Sequence, residues 1–259
     1  MLKKYVHNYG TLRMYTDSEY KLSCMNFKCV KDDEEKHFTP KGLAGNDEKL
    51  SNNVKRTQAR IIELGKCNKW ELFVTLTLDR KKYDRKDLSK FNKDLSQFIR
   101  DERKKGNGDI KYLLIPERHK DGCWHMHGFV CGLSPECLHE FSAKERLPRK
   151  ILDKIKSGKH VYTWKKYESK FGFADIERIQ DKNAASIYIS KYITKELMSS
   201  VKELNAHAFY ASKGLKSSEI VHQDILPRGI ENPSYKNDYV SVKWFDDIRK
   251  ALSCFEVNV

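Results

Sequence analysis

Apolar residues in this chain recur with two periods, and the switches between them outline the elements. Residues 47–64 predict a helix, with Gly65 as its stop. Leu72-Phe73-Val74-Thr75-Leu76-Thr77-Leu78 is β-branched and aromatic, and its near-continuous apolar run predicts a buried strand. Leu88, Phe91, Leu95 and Phe98 then fall at helical spacing, which predicts a helix over 86–104 broken by Gly106-Asn107-Gly108. Strands follow over 110–116 and 124–131, joined by Lys120-Asp121-Gly122, which has the chemistry of a hairpin turn. Ser134-Pro135 reads as the start of another helix. A strand over 171–179 and a helix over 182–199 complete the set. The order β-α-β-β-α-β-α predicts an α+β fold of the split-βαβ, ferredoxin- or RRM-like kind, with helices packed on a sheet.

The ends are less regular. Val6–Tyr15 predicts a short hairpin around Asn8-Tyr9-Gly10, and residues 32–46 read as surface loop. After Val201 come a short helical stretch, a loop at Pro227 and Gly229, and a strand at 239–245. The expected organisation is an N-terminal extension (1–47), a core (48–200) and a C-terminal extension (201–259) packed on that core.

Composition narrows the partner. The chain has 259 residues, 33% of them charged, with 50 Lys and Arg against 36 Asp and Glu for a net charge of +14. Such an excess favours a polyanion, nucleic acid first. No apolar run approaches the ~20 residues of a membrane span, and Met1-Leu2-Lys3-Lys4-Tyr5 is not the start of a signal peptide. The expectation is a protein that stays in the cytoplasm, touches no membrane and keeps its 7 cysteines reduced.

Candidate chemistry sits in two stretches. In Trp124-His125-Met126-His127-Gly128-Phe129, positions i and i+2 of a strand put both imidazoles on one face. Glu117 ends the preceding strand across the hairpin and is the candidate third metal ligand; His119 and the more distant Glu177 compete for that place. Mixed histidine and carboxylate ligation with open positions suits Mn²⁺ or Mg²⁺. In the helix expected over 182–199, Tyr188, Lys191, Tyr192 and Lys195 share one face, while Ala185, Ile189, Ile193 and Leu197 form a separate apolar stripe. A phenol can attack a phosphodiester and keep the phosphate as a tyrosine ester, helped by neighbouring lysines and a divalent cation.

Three segments together resemble the HUH endonuclease superfamily, and within it the two-tyrosine rolling-circle replication initiators of bacterial plasmids and phages. Phe73–Leu78 is similar to the family's first motif, Trp124–Gly128 to its metal-binding second motif, and Tyr188–Tyr192 to its two-tyrosine third motif. The resemblance implies a central antiparallel sheet with the histidine strand in the middle. It implies a metal-dependent, site-specific endonuclease and strand transferase acting on single-stranded DNA at a replication origin, in a bacterial host. The tyrosine becomes joined to the 5′ phosphate and a 3′ hydroxyl is left free. Carried onto this chain, His125, His127 and Glu117 hold the metal, Tyr188 and Tyr192 are the nucleophiles, and Lys191 and Lys195 steady the phosphate or assist proton transfer. Thr75, Thr77 and Trp124, with Lys55, Arg56 and Arg60 of the first long helix, are candidate DNA contacts. No G-x-x-x-x-G-K-[ST] loop is present, so a separate host helicase is an expected partner. A two-tyrosine relaxase or transposase is the alternative that keeps this chemistry. A non-catalytic binder using Phe73, Trp124 and Phe129 on an RNA-recognising sheet is the alternative that does not.

Overall fold

The computed structural model describes residues 4–30, 47–204 and 206–256. The loop read over 32–46 lies outside the described residues. In chain order the strands and helices are β1 (Lys4–Thr16), β2 (Glu19–Val30), α1 (Asp47–Cys67), β3 (Leu72–Thr77), α2 (Leu88–Lys104), β4 (Lys111–Arg118), β5 (Trp124–Cys131), β6 (Leu138–Glu140), α3 (Arg149–Lys156), β7 (Tyr162–Trp164), α4 (Lys165–Lys170), β8 (Ala174–Arg178), α5 (Lys182–Ser190), α6 (Lys195–Glu203), β9 (Tyr210–Ala211), β10 (Glu219–Ile225), β11 (Tyr235–Lys236), β12 (Val240–Phe245) and α7 (Ile248–Leu252). They fall into two compact units, one of residues 44–215 and one that combines residues 1–43 with 216–259.

The larger unit is α+β, as the element order predicts. Its seven-stranded sheet runs β6-β7-β8-β3-β5-β4-β9, and every paired strand is antiparallel. The histidine strand β5 lies between β3 and β4, with bounds equal to those read from the sequence. On β3 the burial alternates: Leu72, Val74 and Leu76 are buried, and Phe73, Thr75 and Thr77 are half-buried. The near-continuous apolar run therefore hides a two-residue period, with one face given to the core and the other to the site. α2 buries Leu88, Phe91, Leu95 and Phe98, and its first turn is capped by Asp87, whose carboxylate accepts from the Lys90 amide at 2.8 Å. Gly128, straight after the histidines, is needed for close approach. A Cβ there would collide with the Leu113 carbonyl of β4, whose carbon would lie 2.9 Å away.

Three local expectations change. The helix read as stopping at Gly65 continues to Cys67, because Gly65 is a contact residue and not a stop. A Cβ at Gly65 would strike Ser186 of α5, with the Ser186 Cβ only 2.7 Å away. The helix expected after Ser134-Pro135 is one 3₁₀ turn, closed by the Cys137 amide donating to the Ser134 carbonyl at 3.0 Å before the chain enters β6. The helix expected over 182–199 is two helices. Thr194 caps the second by accepting from the Leu197 amide at 3.1 Å, and Gln58 of α1 donates to the freed Ile193 carbonyl at 3.0 Å. Ile189, Ile193 and Leu197 are still buried, so the apolar stripe docks despite the break.

The smaller unit joins the two ends of the chain in one antiparallel sheet, β10-β1-β2-β12-β11. Its core is Leu12, Tyr20, Leu22, Cys24, Leu226 and Ala251. The ends, read from the sequence as two separate extensions, thus share a sheet, with Tyr9 opposite Ile225. The hairpin expected around Asn8–Gly10 does not form there. β1 runs straight through Asn8, which takes a left-handed φ of 51°, and the turn falls at Asp17-Ser18. Among the described residues no helix is long and apolar enough to cross a membrane.

The Gly65 contact gives a stability test. Alanine in a helix interior is worth up to ~1 kcal/mol over glycine, but forcing a methyl into a packed α1–α5 contact costs about 1–3 kcal/mol. The second effect wins here because Ser186 is fully buried and its hydroxyl is tied to the Lys182 carbonyl at 2.7 Å. Gly65→Ala is expected to lower the urea midpoint, and adding Ser186→Gly to restore part of it. A midpoint that rises in the single variant contradicts the contact.

Candidate active site

The site is built on the half-polar face of the central strands. Register places Thr75 opposite His127, Thr77 opposite His125, and Glu117 opposite His125 on the other side. Directly opposed residues of an antiparallel pair share a face, so three strands deliver these side chains to one patch. Thr75 Oγ1 lies 3.1 Å from His127 Nδ1, and Thr77 Oγ1 lies 3.0 Å from His125 Nδ1. Both Nδ1 atoms are therefore engaged from β3, which leaves both Nε2 atoms for the far side of the rings. His127 Nε2 is 2.6 Å from Glu117 Oε2. His125 Nε2 is buried and has no hydrogen-bond partner.

Glu117, read from the sequence as lying across the hairpin, is thus at the histidines. Its competitors separate. His119 stacks on His125 with ring centroids 3.9 Å apart, and its Nε2 lies 3.4 Å from the same Glu117 Oε2. Glu177 sits opposite Phe73 and is paired with Lys154 at 2.7 Å and Lys159 at 3.1 Å, away from the histidines.

Burial is the largest influence on both motif histidines. It pushes the His125 imidazolium down to about 4, with the neighbouring His119 and His127 adding to the effect. His127 is lowered for the same first reason, against an opposing pull from Glu117. Both rings are accordingly neutral at pH 7, the form in which imidazole binds a metal. Among the described residues no three His, Cys, Asp or Glu side chains already surround a common point. The donors nevertheless fit a divalent cation: one Nε2 is orphaned, and the other shares a 2.6 Å contact with a carboxylate oxygen that a bridging proton or cation must stabilise.

The same titration predicts how stability depends on pH. Because the folded His125 value lies below the unfolded value near 6.5, the unfolded chain binds more protons between these limits. The stability contributed by neutral His125 is complete above about pH 6.5 and is lost as pH falls toward 4. Urea midpoints of the metal-free protein should fall across that window, and His125→Asn should flatten the fall. An equal slope in both proteins removes His125 as the cause.

The tyrosines come from α5 and the turn after it. Asp181 caps α5 by accepting from the Ala184 amide at 2.9 Å, and Lys182 Nζ and Lys66 Nζ staple α5 to α1. Tyr188 is half exposed and rests on Phe73, ring centroids 5.8 Å apart. Tyr192 lies beyond the last residue of α5 and stacks on His127 at 4.3 Å, with an interplanar angle of 8°. The two phenol oxygens are 3.3 Å apart. Burial first, then the hydrogen bond to Tyr188 and the charge of Glu117, raises the Tyr192 hydroxyl above its ordinary value.

Two clefts flank this pair. One, about 640 Å³, is lined by Glu117, Arg118, His119, Lys120, Lys191 and both tyrosines. The other, about 930 Å³, is lined by Thr75, His127, Lys150, Lys154, Lys159 and both tyrosines. Lys191 borders both. Lys195 does not continue the Tyr188 face, because the chain turns after Ser190 and Lys195 opens α6. Trp124 is buried at 1% exposure, with the Arg118 guanidinium 5.8 Å above its ring, so it is a core residue and offers no surface to a strand. Lys55, Arg56 and Arg60 are exposed on α1 and line neither cleft. The basic wall of Lys150, Lys154 and Lys159 lies outside every sequence motif. Its signal is nevertheless in the chain: residues 149–160 carry five lysines and arginines against one acid, Asp153. Charge also separates the units. Lys and Arg number 36 against 23 Asp and Glu in residues 44–215, but 14 against 13 in the two terminal segments. The surplus for a polyanion therefore belongs to the unit that carries the histidines and tyrosines.

An antiparallel split-βαβ sheet with this histidine strand is a fold of the HUH type. Residues 71–197 match the family model for the Replication-associated protein of the ORF2 and gene II protein kind, and this segment, nearly half the chain, belongs to that family. The matched span begins just before β3 and ends in α6, so it contains Glu117, both histidines and both tyrosines. The protein is a replication-associated protein. No curated protein and no solved structure matches the chain.

Proposed function

We propose that this protein initiates rolling-circle replication by nicking single-stranded DNA at an origin and joining itself to the cut end. What supports this reading most is the meeting of two phenols with the histidine pair: the hydroxyls are 3.3 Å apart and Tyr192 stacks on His127. Packing alone accounts for neither a second phenol at that spacing nor the orphaned Nε2 beside it.

The reaction follows from the side chains. A tyrosine oxygen attacks the scissile phosphorus, the P–O3′ bond breaks, and the departing 3′ oxygen takes up a proton. The tyrosine then carries the 5′ phosphate as an ester. The hydroxyl–hydroxyl contact lets one phenol pass its proton toward the other. Lys191, bordering both clefts, offsets charge on the phosphate. His125, His127 and Glu117 would hold Mn²⁺ or Mg²⁺, which supplies Lewis-acid polarisation of the phosphate when bound. The second tyrosine provides a second strand transfer, which ends a replication round. Strand opening falls to a separate helicase.

The test is a covalent adduct. Protein incubated with single-stranded origin DNA and Mn²⁺ should give a species that survives denaturant, and mass spectrometry should find the nucleotide on the peptide carrying Tyr188 and Tyr192. Cleavage without any protein-linked 5′ end would overturn the tyrosine chemistry.

A further inference from the structure

Thr75 and Thr77 lie on β3, and their hydroxyls point at the histidine strand. Each is half-buried and each meets the Nδ1 of the histidine directly opposite, at 3.1 and 3.0 Å. The pattern is repeated two residues apart along one strand pair, Thr75 with His127 and Thr77 with His125. A neutral imidazole carries one proton, on either nitrogen, and what the other nitrogen meets decides which. At His125 the choice is forced. Nε2 is buried without a partner, whereas Nδ1 faces a hydroxyl that can accept. A proton on Nε2 would leave a buried donor unpaired, which is unfavourable. A proton on Nδ1 is satisfied by Thr77 and leaves Nε2 as a bare lone pair.

We propose that Thr75 and Thr77 are positioning residues that accept from the Nδ1–H groups of His127 and His125, so that both Nε2 lone pairs face one cation site. This rests on the reading of the histidines as metal ligands. A metal-bound histidine ordinarily donates its second ring nitrogen to a carboxylate, carbonyl or water. Here a pair of hydroxyls on the neighbouring strand takes that role. The hydroxyl also suits the state without a cation. Because it can donate as well as accept, Thr75 can give its proton to His127 Nδ1 when Nε2–H is turned toward Glu117 at 2.6 Å. A backbone carbonyl could not reverse in this way. Thr75 thereby allows His127 to switch tautomer as the cation arrives, while His125 is already set.

Thr75→Val and Thr77→Val keep the β-branched shape and remove only the hydroxyl. Thr→Ser at each position keeps the hydroxyl and serves as the rescue. Calorimetric titration with Mn²⁺ at about pH 7.5 should show affinity about 10- to 100-fold weaker in each valine variant, and within a few-fold of the starting protein in each serine variant. Binding of single-stranded DNA in EDTA should be unchanged, since the hydroxyls do not grip the strand. Two-bond ¹⁵N–¹H spectra of the metal-free protein should show His125 protonated on Nδ1, and a mixture of tautomers after Thr77→Val.

The spectra separate the two ideas. If the starting protein binds no Mn²⁺, the metal reading fails, yet the tautomer of His125 still decides the role of Thr77. Protonation of His125 on Nε2, or valine variants that fold with unchanged tautomer and Mn²⁺ affinity, overturns the proposal. Weaker DNA binding in EDTA assigns the threonines to the strand instead.

Discussion

The Tyr188→Phe, Tyr192→Phe double variant is expected to form no covalent adduct, a loss of at least ~1,000-fold, while keeping its fold and its affinity for single-stranded DNA. The reason is chemical and structural together. The ester oxygen comes from the phenol, and phenylalanine has none. The lost hydroxyl–hydroxyl bond is 3.3 Å long and lies at the surface, so its removal costs no more than about 1 kcal/mol. The rings keep their contacts: Tyr188 with Phe73, Tyr192 with His127. Each single variant retains one nucleophile and should still form adduct. The two should differ, because the phenols are not equivalent. Tyr192 is half-buried with its hydroxyl held protonated by burial and by its neighbour, whereas Tyr188 is half exposed. Removing Tyr188 takes away the hydrogen-bond partner that raises the Tyr192 value. Tyr192 in Tyr188→Phe should therefore ionise more readily than in the starting protein. Adduct at Tyr192, assigned by mass spectrometry, should reach half-maximum at lower pH in that variant. Denaturing gels across about pH 6–10 compare all four proteins around the ordinary phenol range. Adduct in the double variant would place the nucleophile elsewhere.

His127→Ala is the second large effect. It is expected to lower Mn²⁺-dependent adduct formation at least ~100-fold, equivalent to about 2.7 kcal/mol or more of transition-state stabilisation. His127 touches three other parts of the site: Thr75 at Nδ1, Glu117 at Nε2 and Tyr192 across its ring face. Truncation removes a ligand and also the surface that holds Tyr192 in place. Two readouts distinguish these losses. Calorimetry with Mn²⁺ reports the ligand. Tyr192's position is reported by adduct formation at saturating Mn²⁺, which His125→Ala should recover more fully because His125 stacks on His119 and not on a tyrosine. Glu117→Gln keeps the shape and removes the charge, so it should weaken Mn²⁺ binding while leaving the Tyr192 stack intact. If His127→Ala nicks at the original rate with Mn²⁺, the histidine strand is not part of the chemistry.

Much of the site is visible in the chain because its signals are local. The two-residue period of a strand puts His125 and His127 on one face whatever lies beside them, and Lys120-Asp121-Gly122 returns the chain so that Glu117 meets His125 in register. Gly122, with φ 81°, supplies the left-handed residue that the turn requires. Tyr188 and Tyr192, four apart, approach one another even though α5 ends between them, since one helical turn already sets that distance. Where sequence and structure part, a local signal is outvoted by a distant contact. Helical periodicity over 182–199 survives in the buried Ile189, Ile193 and Leu197, but the backbone breaks where Thr194 offers a cap and Gln58, 135 residues before Ile193, offers a donor. Gly65 looks like a helix stop until Ser186 is placed against it. Trp124 looks like an aromatic for stacking on bases until the core closes over it.

The class of fold, the strand that carries the histidines, the hairpin that adds Glu117 and the spacing of the phenols are all written in the chain, because each depends on neighbours within one turn or one hairpin. The remaining features exist only once the chain is folded. Folding joined β1 to β10 across more than two hundred residues, set Lys154 and Lys159 on Glu177 and so withdrew that carboxylate from the histidines, and placed a threonine hydroxyl behind each imidazole. Periodicity fixes which face a side chain takes, whereas register between strands far apart in sequence is settled only by the competition of whole surfaces for burial.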